Sequence, residues 1–372
     1  MTAAPRPVDV LVIGGGQAGL AAGYYLRRAK ADFVILDAQD SAGGAWRHAW
    51  DRLRLFSPAQ YSSLPGRMMP IPPDGGCPSA AEVVTYLTDY ERRYDLPILR
   101  PVTVHAVRRG DGHLLVETSL GTWQAKNVIS ATGTWWRPYV PHYPGLRDFG
   151  GEHLHTAGYR GPEPLRGGRV VIVGGGNSAA QLLAEVSTVA EVTWVTRRPP
   201  RLLPDDIDGR ALFDLATRRH RAAQAGRQAG GIADLGDIVA VPPVREARDR
   251  GVLKAEPMFA RVTPYGVAWA DGSTLACDVI LWCTGFRPAL RHLAPLGLRG
   301  RDGLIPTRGT QTVDEPRLHL LGYGDWTAPA SATLIGAGRT ARQVAAEIVA
   351  RLEICGTRPA RRAVSLWRDG PS

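Results

Sequence analysis

Two rhythms of apolar and polar positions run along this chain, and the switches between them mark its elements. Val8, Val10, Leu11, Val12 and Ile13 form a short, β-branched apolar run. It stops at Gly14-Gly15-Gly16-Gln17-Ala18-Gly19 and resumes at helical spacing with Leu20, Tyr24 and Leu26, the pattern of a strand, a tight turn and a helix. Phe33, Val34, Ile35 and Leu36 then give a second strand ending in Asp37. The glycine signature G-x-G-x-x-G therefore sits inside a complete βαβ unit with an acid at the expected distance, which separates a dinucleotide-binding turn from an ordinary glycine turn. Gly14 allows the tight turn, Gly16 lets the backbone approach a pyrophosphate, and Gly19 lets helix and strand pack closely. With Gln17 and Ala18 they present the N-H groups of a helix N-terminus to an anion, and Asp37 accepts hydrogen bonds from a ribose diol.

Beyond Asp37 come Gly43-Gly44-Ala45-Trp46 and a stretch rich in Pro, Ser and aromatics from Leu55 to Pro73, a long irregular loop of the kind that usually carries function. Residues 80–94 read as a helix with Val83, Leu87 and Tyr90 on one face. Short strands are predicted near Val102 to Val107, where Val104 is counted among the cofactor-contacting positions, at 114–118 and at 122–124, with Asp111-Gly112 as a hairpin signal. Val128-Ile129-Ser130 runs into Ala131-Thr132-Gly133, and Pro138, Pro141 and Pro144 mark a linker.

The second half repeats the first. Val170 to Val173 leads into Gly174-Gly175-Gly176-Asn177-Ser178-Ala179, a helix to about Val189, and a strand from Val192 to Thr196. Two such turns imply two bound dinucleotides. Where the first unit ends in Asp37, the second ends in Thr196-Arg197-Arg198. The carboxylate that binds a free 2′-hydroxyl is gone and cations suited to a 2′-phosphate take its place, favouring NADPH over NADH. Residues 201–256 are polar, with helical patches around 211–225, and could form a lid. Strands are expected at 259–262, 267–269 and 279–282, the last ending in Cys283-Thr284-Gly285-Phe286. Leu318 to Leu321 closes on Gly324-Asp325, followed by a helix from about Thr333 to Leu352. An acid there suits a flavin polyol, and the helix N-terminus suits negative charge on a reduced ring.

Composition narrows this picture. At 372 residues the chain exceeds the ~100–200 of one domain, so two domains are expected. Its formal charge of +10 invites a nucleic-acid or membrane reading, yet only three of its 45 basic residues are lysine and no like-charge run marks a tail; Arg218, Arg219 and Arg221 read as a solvated helix face. The basic balance still favours anionic cofactors. Cys77, Cys277, Cys283 and Cys355 include no C-x-x-C pair and no zinc-ligand spacing, which points to a reducing compartment without a redox dithiol. With no apolar stretch near the ~18–20 residues that span a bilayer and no leader-like N-terminus, the expected location is the cytoplasm, and no nucleic-acid or membrane partner is expected.

The order of parts resembles the flavoproteins with two dinucleotide-binding domains, and Phe149-x-Gly151-x-x-x-His155-x-x-x-Tyr159-Arg160 resembles the fingerprint of class B flavin monooxygenases, specifically the flavin-containing monooxygenase branch; Baeyer-Villiger enzymes usually have Trp where Tyr159 stands. Gly43-Gly44-x-Trp46, Ala131-Thr132-Gly133 and Thr284-Gly285-Phe286 are similar to that family too. The chain is shorter than most animal and Baeyer-Villiger members, and no membrane-anchoring segment is expected. Leu53, Leu55, Phe56-Ser57-Pro58, Tyr61-Ser62-Ser63-Leu64-Pro65 and Met68-Met69-Pro70 look most like the compact bacterial monooxygenases of arsenic-resistance operons. The resemblance implies an α/β fold of two Rossmann-like domains, with the NADPH domain (138–294) inserted into an FAD domain (1–137 and 295–372). It implies FAD on the first turn, NADPH on the second and Gly324-Asp325 returning to FAD. The implied reaction inserts one oxygen atom of O2 into a soft heteroatom (sulfur, nitrogen or trivalent arsenic) through a C4a-hydroperoxyflavin. Gly44, Trp46, Thr132 and Gly133 join the cofactor positions, Ser57 and Gln60 are candidates beside the flavin, and His155 and Tyr159 are expected to set nicotinamide against flavin. Cys77 lies beside the irregular loop, where a lone cysteine is ordinarily an inert small residue. Two rivals keep the same fold: an NADPH-dependent FAD reductase acting on a quinone, disulfide or electron carrier, and a non-catalytic redox sensor.

Overall fold

The apolar run near the start of the chain forms β1 (Arg6–Ile13), whose last six residues are all buried, as a strand covered on both faces of a parallel sheet must be. The structure is a computed structural model and describes residues 4–205, 238–301 and 303–354. Its described residues divide into two units, one comprising the chain up to Gly44, Leu87–Thr132 and the chain from Leu290 on, the other Ala45–Tyr86 and Gly133–Ala289. The sequence reading placed the boundaries at 137/138 and 294/295 and left 45–86 with the first unit.

In the first unit β1 lies between β2 (Phe33–Leu36) and β6 (Gly121–Ser130), parallel to both. β3 (Ile98–Leu99) extends the sheet beyond β2, and β15 (Leu318–Leu320) extends it beyond β6, again parallel. β4 (Val104–Arg109) and β5 (Leu114–Thr118) form an antiparallel hairpin that pairs onto β6, with Gly112 at φ +69° in its loop. The separate strands expected at 122–124 and 128–130 are one ten-residue strand. The charge at Lys126 does not break it, because its ammonium reaches Asp9 at 2.7 Å. The helix Gln17–Arg28 buries Ala18, Leu20, Ala21, Ala22 and Leu26 and packs on the helix Leu334–Ile354, whose first turn is capped by Thr333: the Gly336 N-H donates to Thr333 Oγ1 at 3.1 Å.

The second unit holds a wholly parallel five-stranded sheet in the order β10 (Ala255–Pro257), β9 (Glu191–Thr196), β8 (Arg169–Val173), β14 (Val279–Trp282), β7 (Glu152–His155). An antiparallel trio of β11 (Arg261–Thr263), β12 (Gly266–Ala268) and β13 (Thr274–Ala276) stands apart from it. The helix after β8 runs Asn177–Val186, shorter than expected. The strand expected at 259–262 begins instead at Arg261, and Phe259 is a buried core residue. Sequence reading missed β7, because an edge strand with exposed Glu152 and His153 shows no alternation. It also missed β10 and the helix Pro242–Asp249 inside the polar stretch. The helical patches at 211–225, the arginines 218, 219 and 221, and Cys355 lie outside the described residues. The helix Ala80–Arg93 opens with a reciprocal capping box: Ser79 N-H donates to Glu82 Oε2 at 2.7 Å, and Glu82 N-H to Ser79 Oγ at 3.3 Å. Among the described residues no helix is long and apolar enough to cross a membrane.

One buried ionic group in the first unit sets its acid position. Arg100 Nε donates to Asp37 Oδ2 at 2.7 Å, and its two terminal nitrogens donate to Glu91 at 2.9 and 2.8 Å, with the Arg100 side chain only 13% exposed. Truncating one member of such a cluster strands buried charge. Arg100→Ala is expected to destabilise the unit by about 3–5 kcal/mol, measured as a lower midpoint in urea unfolding. Acid should act on the same unit through His292, whose ring is buried beside Ser130 Oγ at 3.1 Å and whose pKa burial pushes down to about 4. The folded state then binds fewer protons than the unfolded chain, so this stability is present above about pH 6.5 and is lost as the pH falls toward 4. A thermal midpoint that declines less over that window in His292→Gln than in the parent chain is the expected result.

Candidate dinucleotide and active site

The first glycine turn is shaped by missing side chains. Gly14 has φ +107°, and a Cβ there would lie 2.5 Å from the Ala131 carbonyl oxygen; a Cβ on Gly19 would lie 1.9 Å from the Gly14 oxygen. Gly16 differs, because its Cβ would meet only the Gly44 Cα, at 3.9 Å, while a Cβ on Gly44 would stand 2.8 Å from the Gly16 Cα. The two glycines thus leave open backbone at the N-terminus of the helix Gln17–Arg28, a cradle that fits a pyrophosphate. Asp37 is buried at the end of β2 and accepts from Gln39 N-H at 3.3 Å as well as from Arg100; a carboxylate keeps further lone pairs for a ribose. Gln17 is turned to the Ala332 carbonyl at 2.6 Å, and Ala18 is buried where a Cβ on Gly322 would reach it at 2.8 Å.

Thr132 and the Gly324 turn meet through Tyr323. Its hydroxyl lies 2.9 Å from Thr132 Oγ1, 3.2 Å from Thr132 N and 3.1 Å from Ser130 Oγ. Gly133 (φ +63°) and Gly324 (φ +69°) have open space where a Cβ would be. Asp325 is exposed, accepting from Ala330 N-H at 3.4 Å, and Thr333 caps its helix as described above. Val104 is partly buried against the apolar core of the unit. Arg100 and Tyr323 are the functional neighbours that sequence reading missed; neither carries a motif, and each finds its partner only across a long separation in the chain.

The second turn repeats the first. Gly174 has φ +141°, and a Cβ there would lie 2.4 Å from the Cys283 carbonyl oxygen, whereas Gly176 opens to space. Trp194 Nε1 donates to the Gly174 carbonyl at 2.6 Å, Asn177 Oδ1 accepts from Val239 N-H at 2.8 Å, Ser178 is exposed and Ala179 buried. A cavity of about 610 Å³ opens here, lined by Gly174, Gly175, Arg197, Arg198, Tyr139 and Gly285 among others. Both arginines are exposed and on its wall, where a guanidinium can pair with an anion. Cys283 also lines it, but burial pushes its thiol up to about 12. Cys277 is pushed up to about 11 by the same cause, so neither is a thiolate at neutral pH.

The fingerprint lies along β7 and its exit. A Cβ on Gly151 would collide with the Asp278 oxygen at 2.4 Å and with the Phe149 ring. Ala157 N-H donates to His155 Nδ1 at 3.1 Å, so the proton is on Nε2, which donates to the Gly285 carbonyl at 3.0 Å; burial lowers the pKa and keeps the ring neutral. Tyr159 is 1% exposed, edge-on to Trp50 with centroids 6.3 Å apart, and burial raises its pKa. Beneath it the Glu185 carboxyl is raised, again by burial. Arg160 Nη1 donates to the carbonyls of His48 and Tyr159, both at 3.0 Å. The fingerprint therefore fastens residues 48–53 to the body of the second unit and holds the cavity lip at Gly285. Ser57 is buried in its own loop with its hydroxyl 2.8 Å from Ser62 Oγ, Gln60 is exposed on the turn Ala59–Tyr61, and Trp46 is half-buried. No described contact joins Ser57 or Gln60 to His155 or Tyr159. Among the described residues no cluster of His, Cys, Asp or Glu is placed to hold a metal.

Residues 11–207, more than half of the chain, match the family model described as pyridine nucleotide-disulphide oxidoreductase. The chain belongs to this family. A flavin-containing monooxygenase of Stenotrophomonas maltophilia shares 50% identity and superposes with a TM-score of 0.85, covering 93% of this chain and 99% of that one. An uncharacterized CzcO-like oxidoreductase of Geobacillus kaustophilus is 31% identical over 88% of this chain and 94% of its own length. A probable indole-3-pyruvate monooxygenase of Arabidopsis thaliana is 29% identical over 74% of both. Within the pyridine nucleotide-disulphide oxidoreductase family this chain is thus an oxidoreductase of the flavin monooxygenase kind, with the two-domain α/β fold of the FAD- and NADPH-dependent enzymes.

The two innermost glycines of the first turn separate folding from binding. Gly16→Ala is expected to fold with an unchanged thermal midpoint and to purify colourless, because its Cβ would touch only the Gly44 Cα, at 3.9 Å, while standing in the cradle that fits a pyrophosphate. Gly19→Ala should lose stability as well, because its Cβ meets backbone. Differential scanning calorimetry beside the flavin absorbance of each purified variant checks both outcomes.

Proposed function

We propose that FAD occupies the Gly14–Gly19 turn with Asp37 on its ribose, that NADPH occupies the cavity at Gly174–Gly176, and that the enzyme places one oxygen atom of O2 on a soft nucleophilic sulfur, nitrogen or trivalent arsenic atom. FAD and NADP(H) are the cofactor pair of the enzymes this chain resembles. The observation that carries the reading is the cavity at the second turn, with two arginines on its wall and a fingerprint histidine holding its lip. When bound, NADPH supplies two electrons and the flavin supplies the oxygen-activating chemistry. With substrate S, the balance is S + O2 + NADPH + H⁺ → SO + NADP⁺ + H2O.

The chain's own residues bind and position. The N-H groups at Gly174–Gly176 face the pyrophosphate. Arg197 and Arg198 pair with the 2′-phosphate. His155, neutral and donating through Nε2, fixes Gly285 and with it the wall against which the nucleotide lies. Tyr159 anchors Trp50 and its segment and takes no part in proton transfer near neutral pH, since burial holds its proton. No protein nucleophile is required. The disulfide form of the reductase alternative is disfavoured by the lack of any C-x-x-C pair among the four cysteines, and Cys277 and Cys283 are both held protonated by burial.

Removing both guanidiniums, Arg197→Ala with Arg198→Ala, should weaken NADPH by roughly 1.5–3 kcal/mol per lost charge-assisted bond and barely alter NADH; the ratio of the two KM values reads this directly. The function itself is tested by NADPH consumption against thioethers, amines and arsenicals, with product mass measured for one added oxygen. Consumption that yields only hydrogen peroxide or a reduced quinone, and no oxygenated product, would overturn the monooxygenase reading in favour of the reductase.

A further inference from the structure

Among the described residues, Tyr139 and Tyr143 bring aromatic rings to the wall of the cavity in the second unit, and they are held differently. Tyr143 is committed to the core, stacked on Trp282 with centroids 6.3 Å apart and tilted against Phe259 at 5.0 Å. Tyr139 is pinned by its backbone to the exit of β14: its N-H donates to the Gly285 carbonyl at 3.0 Å, and its carbonyl accepts from Thr284 Oγ1. Its ring carries a cation. Arg287 stands over one face with Cζ 4.1 Å from the centroid, while Arg287 itself does not line the cavity. The backbone holds the guanidinium's place, since Arg287 N-H donates to the Arg137 carbonyl at 2.8 Å.

Strand order assigns each side of the cavity to one half of a dinucleotide. β8, with its glycine turn, lies between β9 and β14. Arg197 and Arg198 follow β9, whereas Thr284 and Gly285 follow β14. With the pyrophosphate at the turn and the adenosine 2′-phosphate at the arginines, the nicotinamide half extends past β14, to Tyr139. That half changes charge in use: the oxidised nicotinamide is a cation and the reduced one is neutral. An aromatic face attracts a cation, but a ring already covered by Arg287 has that attraction satisfied, and a second positive charge on its other side is repelled. The rest of the wall does not offset this. The Gly285 oxygen already accepts from His155 Nε2 and Tyr139 N-H, which occupies both its lone pairs. Cys283 is held protonated, and none of the described residues lining the cavity is an Asp or Glu.

We propose that Tyr139 is the seat of the nicotinamide ring and that Arg287, acting through Tyr139, makes the site prefer the neutral reduced coenzyme to the oxidised cation. This rests on the reading that places NADPH in the cavity.

Titration calorimetry on the oxidised, FAD-loaded enzyme tests it with NADP⁺, with the redox-inert tetrahydronicotinamide analogue of NADPH, and with adenosine 2′,5′-bisphosphate, which lacks the nicotinamide half. The parent enzyme is expected to bind the neutral analogue about fivefold more tightly than NADP⁺. Arg287→Gln should bring the two within about twofold of each other by tightening NADP⁺, and Arg287→Lys, which keeps the charge, should keep the parent's preference. Tyr139→Leu should weaken both coenzyme forms about fivefold and leave the bisphosphate unchanged, whereas Tyr139→Phe binds all three as the parent does. No preference in the parent, or a preference that Arg287→Gln leaves as it was, overturns the role of Arg287. Coenzyme binding that Tyr139→Leu does not weaken, or a loss it shares with the bisphosphate, overturns the seat. Failure of the parent to bind the bisphosphate and both coenzyme forms is a different result, which overturns the NADPH reading and the inference with it.

Discussion

Both units depend on one close approach of backbone to backbone. At Gly14 the space of a side chain is filled by the carbonyl of Ala131, just past the end of β6; at Gly174 it is filled by the carbonyl of Cys283, just past the end of β14. Each glycine has a positive φ and follows the strand at which its sheet changes direction of growth, β1 between β2 and β6, and β8 between β9 and β14. The crevice at such a switch point lies beyond the carboxyl ends of the strands, where open α/β sheets take their ligands. The residues that supply these carbonyls even share a continuation, Ala131-Thr132-Gly133 and Cys283-Thr284-Gly285, with Gly133 and Gly285 both at positive φ. The chain has thus solved the same steric problem twice.

What differs between the two turns is their charge, and charge sets what each can hold. The first turn is backed by Asp37 in a buried ionic cluster, with Arg100 shared between Asp37 and Glu91. Arg100 fixes the carboxylate's direction and satisfies one of its oxygens, as a buried charged group requires. At the second turn the corresponding positions are Arg197 and Arg198, exposed on the wall of a cavity, where cations keep their hydration until an anion replaces it. A carboxylate for a diol and a guanidinium for a phosphate follow from the same geometry with opposite signs.

The fingerprint histidine and tyrosine work as fasteners. His155 ties the end of β7 to the residue after the Cys283-Thr284 step, and Tyr159 with Arg160 secures the segment that carries His48 and Trp50. Replacing a neutral, doubly bonded imidazole or a buried phenol therefore disturbs placement first.

The sequence by itself determined the elements and the chemistry that local pattern encodes. The β-branched runs, the two glycine turns at the head of their helices, Asp37 against Arg197-Arg198, the Asp111-Gly112 hairpin and the helix after Thr333 are each set by residues within a few positions of one another, where backbone sterics and periodicity act directly. Only the tertiary structure decided the rest. It made one strand of Gly121–Ser130 by giving Lys126 a partner in Asp9, and it found β7 and β10, whose polar residues are strands only because β14 and β9 lie beside them. It turned Tyr159 and Ser57 inward, joined Arg100 to Asp37, and brought His48 to Trp135. Those pairings span tens of residues or more, and burial, which fixes whether a tyrosine titrates, belongs to the neighbours a residue acquires and not to its place in the chain.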